Sequence, residues 1–357
     1  MEILQVCPDS CGEAGGISVH IRNISERLAR RHNVTVYATG RGSRYPRYES
    51  KGNLKVERFK SYSPSDAYFF SWEMLLRLRK VKFDVVHGHG YHAFPLHFST
   101  LSKRRKFVVT THFHGVGHSV FRDSLVRLLT PFGERTLRKA DTVIAVSEYE
   151  KSLIIRRFGI NPEKVVVIPN GVDFNEFSGL RKRSHDFKSV LYVGSLLDFK
   201  GPQYLVEVLP KLADDVILEI VGNGPLKPFL KRRARELKVY DRVKFYQNLP
   251  RRELLQKYAD SDVLVLLSLY EAYSLAVAEA LAAGIPSIVA NTSALGEWVD
   301  NETCFGVDVP INLDELVQLI NSVLYNGANV RALKKWIGTK ILDWTDVANR
   351  LENIYLE

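Results

Sequence analysis

The sequence predicts an α/β protein made of two doubly wound domains, each with a parallel sheet covered by helices. The chain has 357 residues, which is enough for about two domains. Short β-branched runs alternate with helix-length stretches, a pattern typical of parallel sheets buried on both faces. This alternation occurs twice, on either side of a polar and basic segment at residues 171–188. The repeat is architectural, because the two halves share no obvious sequence repeat.

The N-terminal half begins with a predicted strand at residues 3–6 and a glycine-containing loop. Ile17, Ile21, Ile24 and Leu28 then recur at helical spacing, which predicts the first helix. Further strands are predicted at residues 34–37, 84–87, 107–110 and 142–145. We assign residues 1–178 to an N-terminal Rossmann-like domain.

The C-terminal half repeats the plan, with strands predicted at residues 190–193, 217–221, 243–245, 263–267 and 287–289. A linker at residues 177–186 precedes a second Rossmann-like domain at residues 179–339. A helical segment is predicted at residues 332–341, and an apolar stripe then runs from Val347 to Tyr355. We expect residues 340–357 to cross back as a helix and pack on the N-terminal domain.

Composition excludes several classes of protein. Hydrophobic residues make up 45% and charged residues 25%, and no apolar run reaches 18 residues, which argues against disorder and a polytopic membrane protein. An acidic residue at position 2 and the lack of a basic leader predict a cytoplasmic protein. The three cysteines, Cys7, Cys11 and Cys304, form no C-x-x-C pair, which argues against a disulfide framework or a structural zinc site.

The basic charge is concentrated in the N-terminal half. Residues 1–178 carry 28 basic and 17 acidic side chains, whereas the remainder carries 22 and 23. A basic run at residues 103–106 and an aromatic and aliphatic stretch at residues 68–80 fit a helix lying on the inner, anionic face of a membrane. A core helix with a solvated basic edge explains the pattern equally well. Nucleic acid is not expected as a partner, because no binding module accompanies the charge.

In doubly wound sheets, ligands bind beyond the carboxyl ends of the strands, so the loops there are the candidate sites. Gly15 and Gly16 open the first helix and would let backbone N–H groups approach an anion, although a plain turn is at least as frequent. His112 and His114 follow a strand at alternate positions and would share one face if the strand continued. A third ligand with metal-like spacing is not evident, although His87, His89 and His92 lie upstream, so hydrogen bonding to a substrate is favoured over metal binding.

Two loops of the C-terminal half complete the candidates. Lys200 follows a strand and could neutralise a diphosphate, or it could be an ordinary surface lysine. Glu271 precedes a helix that is predicted to begin near Ser274, and Glu279 lies inside that apolar helix. A buried carboxylate needs a ligand or a polar partner. The residues alone leave two alternatives open. Either both acids bind one ligand, or Glu271 caps the helix and Glu279 forms a buried salt bridge.

Taken together, these motifs resemble the retaining family-4 glycosyltransferases, which have the GT-B fold of two facing Rossmann-like domains. The resemblance spans nearly the whole chain and depends on the order of its motifs. They are Gly15-Gly16, Val146-Ser147, Ile168-Pro169-Asn170-Gly171-Val172-Asp173, Tyr192-Val193-Gly194, Lys200-Gly201, Val221-Gly222-Asn223-Gly224-Pro225, and the E-x7-E element from Glu271 to Glu279 with Gly284-Ile285-Pro286.

The resemblance implies a hexosyltransferase that uses a nucleotide-diphosphate sugar, with a UDP-sugar slightly favoured, and needs neither cofactor nor metal ion. Glu279 would bind the ribose, and Lys200 and Gly16 the diphosphate. Glu271 would hold sugar hydroxyls, and His112 would contact the sugar near the reacting carbon, with His114 in reserve. The remaining donor-binding positions are Gly15, Asn170, Ser195, Ala272, Tyr273, Ser274, Leu275 and Ala276. The acceptor, a saccharide or a lipid-linked or anionic molecule, would bind the N-terminal domain.

Three positions depart from the family pattern. Ser195 replaces a usual arginine, which removes one cation from the diphosphate site, Ser274 stands where many members have glycine, and Leu267 replaces a common proline. No paired carboxylates for a double displacement are evident. The resemblance therefore implies same-face attack with a leaving phosphate oxygen as base. A nucleotide-sugar epimerase on the same fold and a non-catalytic sugar-nucleotide-binding subunit remain alternatives.

Overall fold

The computed structural model describes residues 1–12, 15–40, 45–62, 69–115, 120–326 and 336–357, with the side chains of 120–129 and 326 left aside. The chain forms two compact units. The first comprises Met1–Gly171 and Leu342–Glu357, and the second comprises Val172–Ile341. The domain boundaries predicted from the sequence were residues 178 and 339. The first unit is therefore built from two distant parts of the chain, and the second is continuous.

Within the described residues, the first unit contains an eight-stranded sheet with the strand order β3-β4-β2-β1-β5-β6-β7-β8. Its neighbouring strands are parallel, except that β3 runs antiparallel to β4. The strands are β1 (Glu2–Val6), β2 (Asn33–Gly40), β3 (Tyr48–Lys51), β4 (Leu54–Lys60), β5 (Lys82–His89), β6 (Lys103–Thr110), β7 (Thr142–Ala145) and β8 (Val165–Val167). The five strands predicted for this half are confirmed, and β3, β4 and β8 were not predicted.

The helices of this unit include one from the far end of the chain. They are α1 (Gly16–Leu28), α2 (Trp72–Leu78), α3 (Phe94–Ser99), α4 (Val120–Lys139), α5 (Glu148–Phe158) and α11 (Trp344–Leu356). Val347 and Leu351 of α11 are fully buried, and Glu352 pairs with Arg31 just beyond α1 at 2.7 Å. The prediction that the C-terminal helix crosses back to the N-terminal domain is confirmed. No helix among the described residues is long and apolar enough to cross a membrane.

The second unit contains a six-stranded, all-parallel sheet with the order β12-β11-β10-β13-β14-β15 in the part of the chain that is described. Its strands are β10 (Lys188–Val193), β11 (Val216–Val221), β12 (Val243–Tyr246), β13 (Val263–Leu266), β14 (Ser287–Ala290) and β15 (Cys304–Val307). Its helices are α6 (Pro202–Val208), α7 (Lys227–Glu236), α8 (Arg251–Asp260), α9 (Leu275–Ala282) and α10 (Leu313–Asn326). Two short strands, β9 (Gly171–Val172) and β16 (Leu342–Asp343), lie where the chain passes between the units. The two-domain α/β prediction is confirmed.

The helix predicted at residues 332–341 is only partly testable, because residues 327–335 lie outside the described part of the chain. Residues 336–341 form a tight turn instead, closed by a hydrogen bond from Ile341 N to Trp336 O of 2.8 Å. Gly338 has φ +81°, a backbone conformation that ends helices. The three cysteines are free thiols.

Candidate functional site

The residues predicted to bind a ligand divide between the two units. Gly15, Gly16, His112 and Asn170 belong to the first unit, and Ser195, Lys200 and residues 271–279 belong to the second. In each unit, most of them lie at or beyond the carboxyl end of a strand, where parallel sheets place their ligands.

In the second unit, the loops after β10 and β13 pack closely together. Gly201 has φ +76°, and a Cβ at this position would lie 2.5 Å from the carbonyl oxygen of Leu267, so no other residue fits without displacement. Leu269 N donates to Phe199 O at 2.8 Å. These contacts fix the chain on either side of Lys200 against the loop that carries Glu271.

Lys200 and Glu271 form an ion pair in this loop contact. Lys200 Nζ donates to Glu271 Oε1 at 2.6 Å, and their side chains are 20% and 16% exposed. Glu271 N donates to Ser293 Oγ at 3.1 Å, which fixes the backbone of the acid. The structure therefore brings together two residues that the sequence analysis selected separately, and leaves both accessible to a ligand.

Helix α9 begins directly after this pair. Its N-cap Ser274 adopts φ 83° and accepts a hydrogen bond from Val277 N at 3.5 Å. This φ favours glycine, so Ser274 holds a strained backbone conformation at the start of α9. The N–H groups of Leu275 and Ala276 have no partner within the helix, and both residues are partly exposed. Tyr273 instead uses its side chain in packing, since its hydroxyl donates to Lys340 O at 2.7 Å.

Glu279 is buried in the middle of α9 and is paired with a cation that the sequence analysis missed. Arg251 Nη1 donates to Glu279 Oε1 at 2.6 Å, and the same guanidinium contacts Glu176 Oε2 at 2.7 Å. Burial raises the pKa of Glu279, whereas Arg251 lowers it. The buried salt bridge that the sequence left open is thus present. Ser195, which stands where the family resemblance implies an arginine, is exposed.

In the first unit, α1 offers an open N-terminus. Its N-cap Gly15 has φ 107°, no side chain caps the helix, and its first turn holds no acidic residue. Gly15 and Gly16 are exposed, while Glu13 and Ala14 of the predicted loop lie outside the described residues. The exposed N–H groups at this helix terminus can therefore donate hydrogen bonds to an anion.

The histidine arrangement differs from the prediction. Strand β6 ends at Thr110 and His112 has φ 48°, so the strand does not continue and the expectation that His112 and His114 share a strand face is wrong. His112 lies beside two histidines from other elements. Its ring centroid is 5.1 Å from that of His20 on α1 and 6.0 Å from that of His89 at the end of β5.

This group was missed because its members come from three separate elements. Sequence spacing suggested His87, His89 and His92, whereas His87 is fully occupied by hydrogen bonds to Tyr355 and Thr110. The sequence could have indicated His20, because it lies on the same face of α1 as the apolar residues that recur at helical spacing. Burial lowers the pKa of His20 to about 4 and holds the pKa values of His89 and His112 well below 6.5, so all three are neutral at pH 7.

Asn170, a predicted donor-binding residue, instead contacts this cluster. Its Oδ1 lies 2.7 Å from His20 Nδ1 and can only accept, so Nδ1 carries the hydrogen. Asn170 is 6% exposed and its carbonyl is engaged. In this structure its side chain therefore orients a histidine.

Glu150, also missed, holds the turn that carries His112. Its buried carboxylate accepts hydrogen bonds from Thr111 Oγ1, Phe113 N and Val146 N, the last at 2.6 Å. Burial raises the pKa of Glu150 to about 7, although these three donors act in the opposite direction. The carboxylate thus bridges the turn around His112 and the start of α5.

We expect Glu150→Gln to change how stability depends on pH. The folded-state pKa of about 7 lies above the ordinary 4.5, so the native state binds this proton more tightly and loses stability as pH rises from 5 to 8. The free energy of unfolding should fall across this range by roughly 3 kcal/mol more in the wild type than in the variant. Urea denaturation at a series of pH values measures the difference. Glu148→Gln, an exposed acid in the same helix, is the control, and parallel curves for wild type and Glu150→Gln would contradict the assignment.

Comparison with known proteins agrees with this architecture. The family model described as Glycosyltransferase Family 4 matches residues 14–176, and that described as Glycosyl transferases group 1 matches residues 174–337. An uncharacterized glycosyltransferase of Methanocaldococcus jannaschii is 26% identical, over 96% of this chain and 94% of its own length. The GPI3 subunit of phosphatidylinositol N-acetylglucosaminyltransferase from Saccharomyces cerevisiae is 25% identical, over 99% of this chain and 82% of its own length.

Solved structures show the same fold. Sucrose-phosphate synthase from Thermosynechococcus elongatus has a TM-score of 0.81 at 20% identity, over 100% of this chain and 98% of that chain. Anabaena HepE in complex with UDP and glucose has a TM-score of 0.78 at 18% identity, over 100% of both chains. The chain therefore belongs to the family-4 glycosyltransferases and has the GT-B fold.

Proposed function

We propose that this glycosyltransferase moves a hexose from a nucleotide-diphosphate sugar to an acceptor hydroxyl with retention of configuration. The observation that carries the proposal is the Lys200–Glu271 ion pair at 2.6 Å, beside the open N-terminus of α9 and on the same unit as the buried Glu279. A cation and a helix N-terminus can bind a diphosphate. Two carboxylates can accept hydrogen bonds from the hydroxyls of the sugar and the ribose on either side of it.

Lys200 and α9 would act on the leaving group. As the bond to the sugar breaks, negative charge develops on the diphosphate, and preorganised cations and N–H groups stabilise that charge. Glu271 holds Lys200 in place before the donor arrives. With donor bound, Glu271 would accept hydrogen bonds from sugar hydroxyls while Lys200 turns its charge to the phosphate.

Glu279 would bind the ribose. Its side chain is only 10% exposed and burial raises its pKa, while Arg251 contacts one of its oxygens and favours the charged carboxylate that accepts hydroxyl hydrogens. A charge-assisted hydrogen bond contributes about 1.5 to 3 kcal/mol when desolvated. Removing this acceptor should therefore weaken binding about 10- to 100-fold.

A UDP-sugar is the favoured donor. The Anabaena HepE structures contain UDP and UDP-glucose, and their fold matches this chain. Retention without a metal ion is supported by the family resemblance, in which the acceptor attacks on the face that the leaving phosphate vacates. His112 would contact the sugar near the reacting carbon.

A thermal-shift screen of UDP-, GDP- and ADP-sugars tests the donor assignment, because a ligand that binds the native state raises Tm by mass action. We expect a UDP-sugar to raise the wild-type Tm, and Glu279→Gln to weaken that donor's binding about 10- to 100-fold in calorimetric titration. Glu253→Gln, an exposed acid on α8, is the matched control. Equal affinity in wild type and Glu279→Gln would refute the ribose assignment.

Product analysis separates transfer from the two alternatives. Chromatography after incubation of the donor with and without acceptor would show a transferred sugar, an epimerised donor or an unchanged donor. The exposed Ser195, which leaves the diphosphate without a second cation, is the feature that favours a non-catalytic subunit. An unchanged donor under all conditions would support that interpretation and overturn the proposed activity.

The acceptor is proposed to be lipid-linked or anionic, bound by the first unit at a membrane surface. On α2, Met74 and Leu78 are buried, whereas Trp72 is 69% and Leu76 54% exposed. The basic Arg79 and Lys80 that follow α2 are exposed, and Tyr68 of the predicted stretch lies outside the described residues. An exposed tryptophan and leucine beside cations suit the interface of an anionic bilayer.

We expect the protein to sediment with phosphatidylglycerol vesicles and not with phosphatidylcholine vesicles. Trp72→Ser and Leu76→Ser should each reduce the bound fraction, because they remove apolar area without touching the core. Leu356→Ser replaces a leucine of 60% exposure on α11 of the same unit and should leave binding unchanged. Equal binding to both vesicle types, or no effect of either α2 substitution, would end the membrane hypothesis.

A further inference from the structure

Three histidines converge in the first unit, and one of them, His112, is also the proposed contact to the donor sugar. His20 comes from α1, His89 from the end of β5 and His112 from the turn after β6. Each offers one ring nitrogen, and the three nitrogens all lie within 4.8 Å of one another. His20 and His89 are 1% and 0% exposed, whereas His112 is partly exposed, so the cluster is buried on the side of α1 and β5.

The hydrogen bonds leave lone pairs facing the common centre. His20 donates from Nδ1 to Asn170 Oδ1 at 2.7 Å, so its Nε2 is an acceptor. His89 Nε2 lies 2.7 Å from Gln5 Oε1, and Gln5 Nε2 donates to Tyr355 OH at 3.1 Å. With the Gln5 amide in this orientation, Nε2 of His89 carries the hydrogen. The Nδ1 atom of His89 is therefore the acceptor.

These ring nitrogens are buried without a partner. His20 Nε2, His89 Nδ1 and His112 Nε2 make no hydrogen bond among the described residues. Burying an unsatisfied polar atom is unfavourable because its hydrogen bonds to water are lost, and lone pairs that face one another add repulsion. An electrophile at the centre would remove this cost.

The arrangement matches what transition metals require. Neutral imidazole suits Zn²⁺, Ni²⁺ and Cu²⁺, and the other ring nitrogen of a metal-binding histidine commonly donates to a carbonyl or carboxylate oxygen. Asn170 and Gln5 supply such oxygens here. Ligand distances of about 2.0 to 2.1 Å place tetrahedral ligand nitrogens roughly 3.4 Å apart, so small rotations of the imidazole rings would close the site.

We propose that His20, His89 and His112 form a binding site for a divalent first-row transition-metal ion of the Zn²⁺ type, with three imidazole ligands and an open fourth position. His87, although its ring centroid is only 4.0 Å from that of His89, is excluded because both of its nitrogens are hydrogen-bonded. The proposal concerns binding alone, so it stands whether or not the transfer reaction needs a metal ion.

The test uses the untagged full chain after removal of metals by a chelator. Titration with Co²⁺, followed by visible absorption, and with Zn²⁺, followed by equilibrium dialysis, should show one equivalent bound and a spectrum of nitrogen ligation. His20→Ala and His89→Ala should abolish the site, while His185→Ala, an exposed histidine of the second unit, should bind like wild type. Gln5→Ala keeps all three ligands, removes the partner of His89 together with the hydrogen bond to Tyr355, and should weaken binding about 10- to 100-fold.

Two outcomes would overturn the proposal. The first is a wild-type chain that binds neither ion saturably, which would leave a buried water as the occupant. The second is unchanged affinity in His20→Ala or His89→Ala chains that circular dichroism shows to be folded. If those variants do not fold, the Gln5→Ala titration decides, because unchanged affinity there would contradict the orientation of His89 on which the site depends. Donor binding by the second unit is measured separately, so failure here leaves the proposed function intact.

Discussion

His112→Ala is expected to lower kcat about 100-fold while changing donor affinity little. The turn at His112 has φ 48° and is held by the carboxylate of Glu150, so the imidazole is placed before substrate arrives. Loss of one preorganised group at a reacting centre typically costs about 100- to 1,000-fold in rate. Steady-state kinetics with a saturating donor, together with calorimetric titration of UDP, measure the two effects separately.

His185→Ala is the control for loss of a histidine without loss of the turn, because His185 is exposed on the second unit. Glu150→Gln provides a second comparison, since it disturbs the turn and leaves the imidazole in place. Its kcat should lie between those of wild type and His112→Ala. Wild-type turnover in the His112 variant would refute the assignment and direct attention to His114.

Arg251→Ala is expected to destabilise the second unit. It leaves Glu279, whose side chain is 10% exposed, without its cation, and because Arg251 itself is 39% exposed we expect a loss of about 1 to 3 kcal/mol. Burial raises the pKa of Glu279 and Arg251 lowers it, so the variant should lose more stability at pH 8 than at pH 5. Urea denaturation at both pH values provides the measurement.

The double variant Arg251→Ala with Glu279→Gln should recover much of the lost stability, because no unpaired carboxylate then remains at position 279. Lys211→Ala removes a surface ion pair with Asp314, whose side chains are 51% and 76% exposed, and should change stability by less than about 1 kcal/mol. If Arg251→Ala lost no more stability than Lys211→Ala, the Arg251–Glu279 pair would contribute no more than a surface ion pair. The same result would weaken the case for Glu279 as a charged ribose ligand.

Apart from β12, the strands that the sequence predicted each contain three or more consecutive buried residues. β13 is an example, because its four consecutive residues are all buried and their apolar run predicts a strand. β3 was missed because all four of its residues are exposed, so an edge strand of this kind carries no hydrophobic pattern. β4 was missed because charged side chains interrupt its apolar positions.

The candidate site shows a different limit. Glu271, Lys200 and Glu279 were selected because each follows a strand or interrupts an apolar helix, and both signals are local. Their contacts are not local: Arg251 reaches Glu279 from α8, and His20 reaches His112 from α1. Sequence patterns indicate which residues need partners, whereas the topology of the sheets decides which residues become those partners.

The return of α11 to the first unit fixes an order of events during synthesis. Gln5 leaves the ribosome 350 positions before Tyr355, to which it donates a hydrogen bond. At a synthesis rate of about 5 to 20 residues per second, Tyr355 is made roughly 20 to 70 s after Gln5. Residues 172–341, being continuous, can complete their own core first. Residues 1–171 are therefore synthesised before the second unit, but their own unit is completed only after it, when residues 342–357 have been made.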